Sequence, residues 1–79
     1  MEVGNYLIAT GNVIRKLRIE KNFTIEYIAK RLGVPQKHIV DAEKGLGCTF
    51  LELLALAEVY RIDYVEIMRL IKEEYESLS

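Results

Sequence analysis

The sequence predicts an all-α domain of five helices, and three observations lead there. Apolar residues recur at helical spacing in five segments, each bounded by a capping or breaking residue. No segment alternates in the manner of a half-buried strand. The 79 residues, 51% of them hydrophobic, suffice for one small core, which a chain this short fills most readily with local, helical contacts.

Residues 1–9 hold Tyr6, Leu7 and Ile8 behind Gly4; they extend the first helix backward or lie across the core as an arm. From about Thr10, Val13, Ile14 and Leu17 mark one face and basic side chains cover the rest. Asn22 suits the left-handed residue that ends a helix. Thr24 caps the second helix, with Glu26 in its first turn near the positive dipole end. Ile28, Ala29 and Leu32 face inward there, and Gly33 stops the helix. Pro35 takes the first turn of the third helix, where its missing N–H costs nothing. Ile39 and Ala42 face inward and Gly45 terminates it. Thr49 and Glu52 form a T-x-x-E capping box for a fourth helix that carries Phe50, Leu53, Leu54 and Ala57. Asp63 and Glu66 repeat the arrangement for a fifth, whose stripe is Tyr64, Ile67, Met68, Ile71 and Tyr75. The whole, residues 1–79, is expected to be one domain, with a core over 10–62 and a long C-terminal helix over 63–79.

Composition excludes several functions. The single cysteine, Cys48, gives no internal disulfide and fits a reducing compartment. It precedes a helix N-terminus, which lowers a thiol pKa, but a lone cysteine has no redox partner. With His38 and Cys48 as the only soft ligands, neither a structural zinc site nor any cofactor is expected. No apolar run approaches the roughly 18 residues that span a bilayer, and the expectation is a cytoplasmic protein with no membrane partner. No nucleophile–base pair, glycine-rich phosphate loop or acidic metal cluster points to an enzyme.

The net charge of −1 hides a division. Between Asn12 and Gly45 eight cations face four anions, a net +4; between Leu46 and Ser79 three cations face seven anions, a net −4. The first half therefore suits a polyanion.

Two short helices around a glycine turn, "IEYIAKRLGVPQKHIVDAEKG" over 25–45, are too brief to stand alone in water. Helix, short turn with glycine, helix is the helix-turn-helix plan. The chain further resembles the lambda-repressor-like, or Xre-type, DNA-binding domains. The resemblance lies in "GNVIRKLR" at 11–18, Thr24, "IA" at 28–29, "LGV" at 32–34, Ile39, "EKG" at 43–45 and "LLALAEVYRIDYVEI" at 53–67. It implies an ion pair between Arg18 and Glu43 that ties the third helix to its scaffold. An acid in a helix's last turn wants a cationic partner in any case.

The resemblance also implies double-stranded DNA as the partner, with the third helix, about 35–44, in the major groove. The outward residues Gln36, Lys37, Val40 and Asp41 become the base-contact candidates. Arg15, Lys16, Lys30, His38 and Lys44 become the phosphate-contact candidates. Ile25 stands where family members often carry a phosphate-bonding glutamine, and Pro35 where they usually carry a small polar residue. The apolar excess at Tyr64, Val65, Ile67, Met68, Leu70, Ile71 and Tyr75 marks a homodimer interface. Compact size and a long last helix look like the controller proteins of restriction–modification systems. The expected function is a homodimeric, sequence-specific transcriptional regulator. The alternative is a protein-interaction module, adaptor or antitoxin-like, whose partner docks on the Ile25 and Val40 surface.

Overall fold

The computed structural model describes residues 3–78 and holds five helices: α1 (Val3–Glu20), α2 (Ile25–Leu32), α3 (Gln36–Glu43), α4 (Phe50–Tyr60) and α5 (Tyr64–Ser77). No strand occurs among the described residues. Residues 3–9 therefore prolong the first helix rather than form an arm; Met1 and Glu2 of the expected 1–9 segment lie outside the described residues.

One device ends four of the helices. Asn22, Gly33, Gly45 and Arg61 all take the left-handed conformation just past a helix. In each case the next N–H reaches back five residues: Phe23 to Arg18, Val34 to Ala29, Leu46 to Asp41 and Ile62 to Ala57, all at 3.0 Å. The helix starts are equally explicit. Thr24 accepts from the Tyr27 N–H, and Thr49 and Glu52 close both bonds of their capping box. Asp63 accepts from the Val65 N–H, but Glu66 turns away to Arg69, so the second capping box is a simple cap. Pro35 is the flanking cap residue, with an extended ψ of 151°, and Gln36 is the first helical residue.

The core centres on Ala9, Ile14, Ile28, Tyr60 and Ile67, each at most 2% exposed. The Tyr60 hydroxyl donates to the Ile14 carbonyl at 3.2 Å, and burial pushes its pKa above the ordinary phenol value. Two expected core residues of α4 lie outside it. Phe50 and Leu54 are exposed, and Leu56, Val59 and Tyr60 are buried alongside the expected Leu53 and Ala57. The run FLELLALA is apolar on every side, so periodicity alone does not say which side faces in.

α1 and α5 pack along each other. The rings of Tyr6 and Tyr75 stack at 3.8 Å and 4°, and Asn12 donates to Glu74 at 3.0 Å. This pairing absorbs much of the apolar excess expected at a dimer interface. Ile67 and Ile71 are core residues at 0% and 4% exposure, and Leu70 and Tyr75 pack against the core. Ile67 and Ile71 are withdrawn as interface residues. The backward extension of α1 covers a stripe that a shorter first helix would leave bare.

Candidate nucleic-acid interface

α2, the turn 33–35 and α3 form the corner. Its position is fixed from three sides. Ile39 and Ala42 insert into the core from α3. Arg18 grips Glu43 with two parallel bonds, Nε to Oε2 at 2.6 Å and one terminal nitrogen to Oε1 at 3.1 Å. Its other terminal nitrogen donates to the Phe23 carbonyl at 3.0 Å. The Glu43 hydrogen bond raises the guanidinium pKa further above its ordinary value. The third restraint is Gly11 on α1, which lies against the last carbonyls of α3. A Cβ there would stand 2.7 Å from the Ala42 and Glu43 oxygens, so only glycine fits.

So held, α3 turns Gln36, Lys37 and Lys44 outward, all exposed, with Val40 and Asp41 half-buried between them. Residues four apart share a row on a helix. One row is Gln36, Val40 and Lys44; the next is Lys37 and Asp41, joined by a 3.1 Å ion pair. Beside the first row a shallow depression is lined by Arg15, Arg18, Ile25, Val40, Glu43 and Lys44. Ile25, the first residue of α2, thus meets the α3 row through this depression.

The remaining cationic candidates divide. Arg15 and Lys44 share the depression. Lys30 is exposed on α2. Lys16 lies on the α5 side of α1, with its Nζ 3.8 Å from the Glu74 carboxylate and Glu73 nearby in the same groove, so it is withdrawn as a phosphate contact. His38 is also withdrawn. Its Nε2 bonds the Glu52 carboxylate, which links α3 to the start of α4. Burial raises the Glu52 pKa, but bonds from Thr49 and His38 outweigh it and hold the group below the ordinary carboxylate value. Cys48 runs against its sequence expectation: burial and the charge of Glu52 push its thiol up to about 11.

Several contributors were given no structural role in the reading of the residues. Gly11 is one, although an isolated glycine inside a helical pattern is itself a signal of close approach. Arg31 and Tyr27 on the outer side of α2 are others. The guanidinium donates to the Tyr27 hydroxyl at 2.7 Å and sits 5.7 Å from the ring centroid.

The comparisons with known proteins agree with this geometry. The helix-turn-helix family model matches residues 14–67. A protein of Methanosphaerula palustris that carries the name of an HTH-type transcriptional regulatory protein is 30% identical over 87% of this chain and 23% of its own length. A like-named protein of Thermoplasma acidophilum is 24% identical over 92% of this chain and 24% of its own. The chain thus spans about a quarter of the length of these curated relatives. Among solved structures, the clp gene regulator ClgR from Corynebacterium glutamicum superposes with a TM-score of 0.87, covering 92% of this chain and 79% of that one. At 15% identity it shows the fold alone. The restriction-modification controller protein C.AhdI from Aeromonas hydrophila is 26% identical, with a TM-score of 0.71 over 77% of this chain and 94% of its own. The chain belongs to the helix-turn-helix family, as a lambda-repressor-like, Xre-type domain.

Proposed function

We propose that the chain is a cytoplasmic, sequence-specific DNA-binding regulator that acts as a homodimer and sets α3 in the major groove. As a member of this family it is not an enzyme. The observation that carries the reading is the anchoring of α3. The Arg18–Glu43 pair and Gly11 fix its inner side, which leaves Gln36, Lys37, Val40, Asp41 and Lys44 as one outward face beside Arg15. A major groove admits one helix, and base edges are met near that helix's N-terminus. Gln36 and Lys37 stand there, with Val40 and Asp41 one turn on. Arg15, Lys30 and Lys44 would meet phosphates and supply much of the affinity. None of the described helices is long and apolar enough to cross a membrane.

The dimer reading rests on a different face. Phe50, Leu51 and Leu54 at the start of α4 are exposed, as are Val65 and Met68 at the start of α5. Phe50 and Tyr64 join the two groups through an edge-to-face ring contact of 5.4 Å. A contiguous apolar surface of this kind marks an interface. A two-fold contact through it would be self-complementary, and would serve DNA if it set two copies of α3 about one turn, roughly 34 Å, apart.

Selection from a random duplex library, followed by fluorescence anisotropy across several salt concentrations, tests both parts. Enrichment of a two-fold symmetric site bound with steep salt dependence supports the proposal. If no sequence is enriched and random duplex is not bound at low salt, it fails. The surface around Ile25 and Val40 would then favour the second reading, a protein-interaction module.

A further inference from the structure

We propose that Ile25 and Val40 form an apolar ledge that reads the C5-methyl group of a thymine in the bound site. The inference rests on the DNA-binding reading above and names a specificity element within it. Val40 is half-buried but stands outside the core, so packing does not account for its side chain. It sits in the row between Gln36 at the N-terminal end of α3 and Lys44 at the other. Ile25 lines the same depression from α2, with one side packed against the core. Two half-buried aliphatic side chains therefore occupy the middle of a face that is otherwise polar and cationic.

The charge around the ledge selects its occupant. Arg15 and Lys44 flank it, and neither forms an ion pair with another described residue. The anion in the depression, Glu43, is 6% exposed at its side chain and held by Arg18. The rim thus carries two uncommitted cations and no uncommitted anion, which suits a groove bordered by phosphates better than a protein surface. Of the groups that base pairs display in the major groove, the thymine methyl is the apolar one. A guanine O6 or cytosine N4 pressed against Val40 and Ile25 would lose its water without gaining a partner. The ledge accordingly favours thymine both by contact and by exclusion.

Deoxyuridine isolates this contact, because it differs from thymidine by the methyl alone and pairs identically. A site selected by the wild-type chain is prepared with each thymine replaced singly by deoxyuridine. Affinities are measured by fluorescence anisotropy for wild type, Val40→Ala and Ile25→Ala. The expected result is an approximately fourfold loss for wild type at one thymine of each half-site, the equivalent of one methylene-sized burial. Val40→Ala should bind the thymine site more weakly and no longer distinguish it from the deoxyuridine site. If Val40→Ala melts early by circular dichroism, Val40→Ser, which carries no methyl, replaces it with the same loss of discrimination expected. A selected site with a flat deoxyuridine scan overturns the ledge and leaves the DNA reading intact, as does a Val40→Ala variant that keeps the wild-type ratio. Failure to select any site overturns the DNA reading and the ledge with it.

Discussion

Arg18 and Glu43 stand 25 residues apart and meet in a two-bond pair that joins α1 to the end of α3. Their side chains are 15% and 6% exposed, so the pair is closed off from most solvent. Removing Glu43 leaves the Arg18 charge without its partner and shielded from most of the solvent. Glu43→Ala should therefore destabilise the domain by about 3–5 kcal/mol. At roughly 4–8 °C per kcal/mol, the melting temperature falls by well over ten degrees. A drop of one or two degrees in thermal unfolding would show that the pair contributes little.

Gly11 acts on the same junction without any charge. The Cβ of Gly11→Ala would meet two backbone oxygens of α3, and backbone does not yield as a flexible side chain does. α1 and α3 must separate, at about 1–3 kcal/mol for overpacking. The usual gain from Gly→Ala inside a helix is roughly 0.5–1 kcal/mol the other way, so the sign of the change is informative. A stabilised variant in urea unfolding would mean that the close approach is not present in solution.

These two junctions differ in how much of them could be read beforehand. Arg18–Glu43 was legible, because an acid in a last helical turn demands a cation and the family resemblance supplied one. Helix ends were legible too, since Thr24, Gly33, Gly45 and the Thr49–Glu52 pair each leave a local chemical mark. The backward reach of α1 left none: Val3 to Ala9 hold no cap, and their helix is held by contacts such as Tyr6 on Tyr75, 69 residues away in sequence. The inward face of α4 was hidden by an excess of signal, with apolar residues all around it. His38 and Lys16 looked free because their partners, Glu52 and Glu74, lie on other helices.

Glu52 gives the stability a pH dependence. Its folded pKa is depressed relative to the ordinary 4.5. The stabilisation is therefore present above the unfolded value and lost as pH falls through the folded one. Glu52→Gln keeps an oxygen for the Thr49 N–H but cannot titrate. Between wild type and Glu52→Gln, the gap in unfolding free energy should be about 0.3–1 kcal/mol near neutrality, the range for a carboxylate charge in the first turn of a helix. It should shrink as the pH falls below 4.5. A gap that stays constant in urea melts across that window would rule the account out.

The proposed interface on α4 and α5 separates two kinds of substitution. Val65→Lys and Met68→Lys change exposed positions and should yield folded monomers. Ile71→Lys places a charge at a position 4% exposed and should unfold the chain instead. Analytical ultracentrifugation and circular dichroism together distinguish these outcomes. A wild-type chain that is monomeric at about 100 micromolar would exclude a dimer of functional strength.

Recognition itself can be divided by the thermodynamics of its contacts. Gln36 is the first residue of α3 and Lys44 caps its end, so within one row the former would meet bases and the latter phosphate. A lost base contact costs about 1–3 kcal/mol at one position and relaxes preference there. A lost phosphate contact weakens all sequences alike and reduces the salt slope by about one. Gln36→Ala should therefore narrow the gap between selected and random DNA at an unchanged slope, whereas Lys44→Ala should lower both affinities and flatten the slope. Lys16→Ala is the control with a definite expectation. Its ammonium lies 3.8 Å from Glu74 on the α5 side of α1, so the slope should not change. Anisotropy titrations at four or more salt concentrations measure all three. A slope that flattens for Lys16→Ala and not for Lys44→Ala would move the DNA from the α3 face to the α1–α5 groove, and the proposed docking would be wrong.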